Sequence, residues 1–162
     1  MHTTISTPAG PFTIVARGDT VLAAGFTEDV EQLLALVPDE ESAADADLDT
    51  IAKAVTAYFD GDLTAIDAVP VEQRSGPFIE DAWRVLRGIP AGEPVSYQEF
   101  ARRTGRPEAI RAAAQACARN AAALFVPCHR VVRTDGGMGG YRWGTDVKAH
   151  LLEHEREITE NR

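Results

Sequence analysis

Residues 96–120 read SYQEFARRTGRPEAIRAAAQACARN, and this stretch decides the architecture of the second half of the chain. Ser96 stands where a helix N-cap belongs and Glu99 follows three residues later, the spacing of a capping box. A short helix through Arg103 is expected. Thr104-Gly-Arg106 reads as a turn, and Pro107, with its fixed φ and no N–H to lose, suits the first position of a following helix at about 107–119. A short helix, a glycine turn and a second, arginine-bearing helix form a helix-turn-helix.

Outward from it, an apolar run (Ala121-Ala-Ala-Leu-Phe-Val126) leads to VPCHRVV at 126–132. Cys128 is one of two cysteines, and His129 follows it directly. A thiol beside an imidazole, in a partly apolar and locally cationic setting, has the makings of a nucleophile of lowered pKa. Taken alone, the pair reads more readily as a buried cysteine that happens to precede a histidine. Val131–Arg133 and Gly140–Trp143 flank the turn-rich Thr134-Asp-Gly-Gly137. A final amphipathic helix is expected at 146–157, with Val147, Leu151 and Leu152 inward.

Before the helix-turn-helix, Phe78, Ala82, Trp83, Val85 and Leu86 give one apolar face to a helix of about 76–88. The first part of the chain differs. Short β-prone runs at 2–6, 11–17 and 20–26, broken by Pro/Gly and Gly-Asp, read as an antiparallel three-stranded meander. Residues 28–36 and 47–59 have helical spacing, with 39–49 a solvated acidic loop between them. The expected organisation is a small α/β domain at 1–66, a linker at 67–75, and a mainly helical, winged-helix-like domain at 76–162.

The chain has 162 residues, is 44% hydrophobic and 25% charged, and is therefore composed like an ordinary soluble domain or pair of domains. It contains no apolar run of membrane-spanning length and no signal peptide is read at its start, so a membrane partner is not expected. Two cysteines without framework spacing point to free thiols in a reducing compartment, the cytoplasm. The histidines are His2, His129, His150 and His154. They form no Cys/His cluster, so no metal site is expected. The net charge of −9 is unevenly spread. Residues 1–95 carry 17 acidic and 5 basic side chains, whereas residues 96–133 carry 2 acidic side chains and 7 arginines. That basic island on an acidic protein is the footprint of a phosphate-backbone contact or, equally, a solvated helix face.

Together these segments resemble the O6-alkylguanine-DNA alkyltransferases, most closely over about 76–156. The resemblance rests on Pro127-Cys128-His129-Arg130, on Ser96-Tyr97 opening the helix-turn-helix, and on Arg111 and Asn120. It extends through Gly139-Gly140-Tyr141 and Leu151-Leu152-Glu-His-Glu155. It implies a DNA repair protein that flips O6-alkylguanine, and O4-alkylthymine, out of double-stranded DNA. Cys128 would take the alkyl group irreversibly, with no cofactor and no metal. His129 would be the base, acting through a water, and Glu155 would orient its imidazole. Tyr97 and Arg111 would extrude the nucleotide, and Asn120 would be a hinge tying the helix-turn-helix to the active-site strand. Tyr141, with the backbone around Val126, Arg142 and Trp143, would line the guanine pocket. A monomer is expected.

The second helix supports this on its own terms. Ala112, Ala113, Ala114, Ala116 and Ala118 beside Arg111 make it slim, and the minor groove is only about 6 Å wide. An alanine face with one arginine suits minor-groove entry and insertion between base steps. Plain helix propensity explains the same alanines. There are departures: Ala113-Ala114 where members often have Val-Gly, and Ile79 where a glutamine is common, while Arg142-Trp143 follows the bacterial form of the pocket lip. No cysteine-rich metal segment is read before residue 1, so transcription-activating members are not expected. The alternatives are a lesion binder that flips the base without accepting the group, a winged-helix regulator without enzymatic activity, and a thiol hydrolase. The first usually replaces the cysteine, the second needs base-reading side chains, and the third leaves the basic helices unexplained.

Overall fold

The computed structural model describes residues 1–161. The chain divides into two compact units: Met1–Gln73 with Ala121–Phe125, and a second running from Arg74 to Asn120 and from Val126 onward.

The first unit is built on the expected meander, β1 (His2–Thr7), β2 (Gly10–Arg17) and β3 (Thr20–Gly25), antiparallel in that order. Gly10 and Gly18 have φ of +111° and +60° and make the tight reversals that a side chain would strain. Helix α1 (Val30–Leu34), α2 (Asp39–Ser42) and α3 (Leu48–Phe59) follow. Asp47 caps α3 by accepting from the Thr50 N–H, and Ile51, Val55 and Tyr58 form its buried stripe at i, i+4 and i+7. Two features differ from expectation. The acidic stretch is partly helical, because Asp39, Glu40 and Glu41 fall in the first turn of α2, where the positive end of the helix dipole favours them. The stretch expected to begin a linker stays with the first unit as far as Gln73. Leu63, Ile66 and Val69 are buried. Their spacing of three matches the period of a 3₁₀ turn, which forms at Ala65–Ala68. The Val21 N–H then donates to the Pro70 carbonyl (2.9 Å), and the Glu72 N–H to the Val21 carbonyl (3.0 Å). The apolar run also returns here. The Ala24 N–H donates to the Ala121 carbonyl (2.8 Å), and the Ala123 N–H to the Ala24 carbonyl (3.0 Å). Leu124 holds φ at +72°, a left-handed conformation unusual for a bulky residue.

The second unit contains α4 (Pro77–Arg87), β4 (Val95–Ser96), α5 (Tyr97–Arg103), α6 (Ile110–Arg119), β5 (Val131–Val132) and α7 (Thr145–Glu160). Helix α4 packs on α6, and the Trp83 indole N–H donates to the buried Ala116 carbonyl at 2.9 Å. Helices α5 and α6 form the helix-turn-helix. Ser96 caps α5 by accepting from the Glu99 N–H (3.0 Å). The return arm of the capping box is absent, because the Glu99 carboxylate accepts from Arg102 and Arg103 instead. Helix α6 begins at Ile110 and not at Pro107. The Ala109 N–H closes a turn onto the Arg106 carbonyl (2.9 Å), which places Pro107 at the turn's second position. After Cys128 there is no hairpin among the described residues. The short β5 pairs in parallel with β4, Val95 opposite Val131. The Arg133 N–H donates to the Gly137 carbonyl (2.9 Å), closing the glycine turn on itself.

Candidate active site

The second unit brings Cys128, His129, Glu155 and Asn120 together, and each is placed by a different local device. Cys128, His129 and Arg130 form a single 3₁₀ turn between Pro127 and β5. Glu155 comes from α7, on a stripe with Lys148 and Leu151, spaced i, i+3 and i+7 and buried throughout. Asn120 ends α6 in an extended conformation, and its side-chain amide donates to the Val126 carbonyl at 2.8 Å.

His129 is completely buried, and its Nε2 lies 2.7 Å from Glu155 Oε2. Nδ1 has no partner among the described residues. Glu155 is buried too and accepts from the Arg130 guanidinium, Nε to Oε1 at 2.9 Å and Nη2 to Oε2 at 3.0 Å. Arg130 Nη1 donates to the Ile89 carbonyl at 2.8 Å. Burial alone would raise the Glu155 pKa, but His129 and Arg130 outweigh it and hold the carboxyl well below the usual range. Burial holds the His129 pKa below its ordinary value against the pull of Glu155, and Arg130 and Lys148 push the same way as burial. The pair is therefore a carboxylate beside a neutral imidazole.

The thiol departs from expectation. Cys128 is half-buried, and burial raises its pKa. A hydrogen bond from the Asn120 side chain and the charges of Lys148 and Arg142 oppose that rise without reversing it. The resting group is thus a protonated thiol, and an adjacent base is needed to ionise it as it reacts. Cys117, on α6, is pushed up as well, again by burial first and then by Cys128.

Two residues that the sequence reading left without a role complete the site. Arg130 looks like part of the basic island, yet it is buried on an internal carboxylate. Lys148 is fully buried and donates to the carbonyls of Val131 (2.7 Å) and Gly140 (3.3 Å). Its ammonium lies 6.0 Å from the centre of the Tyr97 ring. The available signal was the spacing 148, 151, 155, which puts Lys148 and Glu155 on one stripe with Leu151. Of the residues expected inward on this helix, only Leu151 is fully buried, and Val147 and Leu152 are half-buried. Gly139 packs against both Tyr97 and Lys148. A Cβ there would come within 3.0 Å of the Tyr97 hydroxyl and 3.4 Å of Lys148 Nζ, at a φ of +77° that itself favours glycine.

The remaining expected residues divide. The Tyr97 hydroxyl is pushed up to about 12, by burial and then by the two cysteines. The Tyr141 hydroxyl is buried without a partner among the described residues, and burial, Cys128 and Glu155 raise its pKa. Arg142 is exposed and donates to the Ala118 carbonyl at 2.8 Å, fastening the glycine loop to the end of α6. Val126 is buried, and its carbonyl accepts from both Asn120 and the Cys128 N–H (2.8 Å). Both lone pairs are used, so this carbonyl orders the site and is not free to line a pocket. On α6, Arg111 is exposed and Ala112 and Ala114 are half-exposed, whereas Ala113 is fully buried. Ala113 is thus on the packing face beside Ala116 and is unavailable to a partner. The basic island is largely neutralised. Arg102 and Arg103 pair with Glu99, Arg130 with Glu155 and Arg133 with Asp135. Among the described residues no three His, Cys, Asp or Glu side chains are placed to hold a metal ion, and no helix is long and apolar enough to cross a membrane.

Comparison with known proteins agrees with this geometry. Residues 1–73 match the family model "6-O-methylguanine DNA methyltransferase, ribonuclease-like domain", and residues 77–157 match "6-O-methylguanine DNA methyltransferase, DNA binding domain". The constitutive methylated-DNA–protein-cysteine methyltransferase of Bacillus subtilis is 34% identical, the match covering 96% of this chain and 94% of that protein. The bifunctional transcriptional activator/DNA repair enzyme Ada of Escherichia coli is 51% identical over 92 residues, which span only 26% of its length. Among solved structures, the Mycobacterium tuberculosis protein in complex with DNA has a TM-score of 0.81 at 32% identity, covering 97% of this chain and 93% of that one. With both halves matched in order over a shared fold, the chain belongs to the 6-O-methylguanine DNA methyltransferase family.

Proposed function

We propose that the protein repairs double-stranded DNA by moving the alkyl group of O6-alkylguanine, and of O4-alkylthymine, onto Cys128, once per molecule. The observation that carries this reading is the buried chain Arg130–Glu155–His129 on the same turn as Cys128, with His129 Nδ1 left unpartnered among the described residues, in the same unit as the helix-turn-helix. In the reaction the thiol proton passes through a water to His129 Nδ1. Sulfur forms its bond to the alkyl carbon as the carbon–O6 bond breaks, and that electron pair stays on the guanine. The guanine anion then takes up the proton that the imidazole received, so the net change is a thioether and a normal base. A displacement at saturated carbon needs an ionised, aligned sulfur and no oxyanion hole.

The alkylated base is inaccessible in a stacked duplex and has to be turned out, which costs roughly a few kcal/mol. In this reading α6 enters the minor groove with Arg111 filling the vacated space, and half-exposed Ala112 and Ala114 keep its approach close. Tyr97 turns the nucleotide, and Tyr141, Arg142 and Trp143 border the guanine pocket. Asn120 holds the helix-turn-helix to the turn that bears Cys128. The protein acts as a monomer in the cytoplasm, without a cofactor.

Intact-mass analysis after incubation with an O6-methylguanine duplex tests this. One methyl group is expected, mapped to Cys128, with no turnover. Selective binding of the lesion without mass gain would make the protein a lesion binder, and a methyl group on Cys117 would overturn the assignment.

A further inference from the structure

A neutral imidazole carries a single N–H, and which nitrogen carries it decides whether His129 can act as a base toward Cys128. A proton on Nδ1 would leave no lone pair there to accept the thiol proton. His129 Nε2 faces Glu155 Oε2 at 2.7 Å. An ionised carboxylate only accepts, so it forces the imidazole proton onto Nε2 and leaves the Nδ1 lone pair available. A protonated Glu155 would do the reverse, donating its O–H to Nε2 and driving the ring proton to Nδ1.

The ionisation state of one buried carboxyl therefore decides the chemistry of its neighbour. Desolvation ordinarily favours the neutral acid at such a depth. What opposes it here is contact with His129 and, as the permanent charge, Arg130. The planar fork of Arg130 meets both carboxylate oxygens (Nε to Oε1 at 2.9 Å, Nη2 to Oε2 at 3.0 Å), and Nη1 is anchored on the Ile89 carbonyl at 2.8 Å. A bidentate guanidinium supplies full charge and fixed geometry together. The other cation facing His129 is Lys148, from the same helix as Glu155. Its ammonium is bonded to backbone carbonyls, so it disfavours an imidazolium without touching the carboxylate.

We propose that Arg130 is a positioning residue for the alkyl transfer: by holding Glu155 as a bidentate carboxylate it sets the Nε2–H tautomer of His129 and leaves the Nδ1 lone pair free to accept the Cys128 proton through a water. This rests on the reading of Cys128 as the alkyl acceptor. It also explains why one arginine of the island is buried in an internal network, where a phosphate cannot reach it.

The test combines spectra of protein labelled with ¹⁵N-histidine with two rates, alkylation of Cys128 by iodoacetamide without DNA and methyl transfer from an O6-methylguanine duplex. Wild-type His129 is expected to be neutral with its proton on Nε2. In Arg130→Met the proton should move to Nδ1, and both rates should fall by at least about 100-fold, the lower end of what a general base contributes. Arg130→Lys, which keeps the charge but not the fork, should keep the Nε2–H form and recover much of the rate. A wild-type His129 that is an imidazolium, or that carries its proton on Nδ1, overturns the proposal without any variant. A folded Arg130→Met that keeps the Nε2–H form and the wild-type rates overturns it equally. If Arg130→Met does not fold, the wild-type and Arg130→Lys spectra decide. If wild-type protein takes no methyl group from DNA while tautomer and iodoacetamide rate still follow Arg130, the repair reading fails and the role of Arg130 stands.

Discussion

The two units bury different things. Among the described residues the first unit encloses one fully buried polar side chain, Thr13, whose hydroxyl donates to the Thr27 carbonyl at 2.6 Å and is paired with Thr4. The second encloses five: Asn120, His129, Arg130, Lys148 and Glu155. The first unit is a conventional apolar core, in which each residue contributes by area and fit. The second spends part of its interior on ionised and hydrogen-bonded groups, a burial that usually stabilises less than well-packed apolar residues would. Its network is thus better understood by what it does to Cys128 than by what it does for the fold.

That contrast can be broken at Glu155. Glu155→Gln should slow thiol alkylation and repair by roughly 10²–10⁴-fold, the range of a lost general base. It should also destabilise the second unit by about 3–5 kcal/mol, because Arg130 is left buried without its counter-charge. Stopped alkylation assays and denaturant titration check both. A variant with near wild-type rates would make the network structural only.

Arg111→Ala probes the exposed side of the same unit. Its effect should be about 10–100-fold on duplex repair and negligible on reaction with free O6-methylguanine base, because only the duplex demands extrusion. Equal losses on both substrates would move Arg111 from flipping into chemistry or folding.

Acid should separate the units. His129 is held below its usual 6.5, and Glu155 below its usual 4.5. In both cases the unfolded chain binds the proton more readily than the folded one, so stability rises with pH. The second unit should weaken as pH falls below 6.5, through His129, and weaken further below 4.5, through Glu155. Hydrogen exchange at descending pH reads the two units separately. Earlier acid loosening of the first unit would contradict the contrast.

The smallest effect belongs to the apolar core. Ile51→Val should destabilise by about 1 kcal/mol and leave the alkylation rate of folded protein unchanged within twofold. A larger change in rate than in stability would show that the first unit tunes the site.

How much was legible follows the same division. The meander, the long helix ending at Phe59, the helix-turn-helix and the Cys-His pair were readable because periodicity, turn residues and caps act over a few neighbouring positions. Sequence by itself determined those elements and, through the motifs around Cys128, the family. It misled wherever a remote partner decides. The start of α6 depended on a turn closed at Ala109, the sign of the Cys128 shift on burial, and the fate of Arg130 on a carboxylate 25 residues away. Lys148 carried no reading and Glu155 a role only through the resemblance, and only the tertiary fold, by turning their stripe inward, made them buried. Local propensity depends on neighbours in the chain. The ionisation state of a group depends on what surrounds it in space, and that surrounding exists only once the chain has folded.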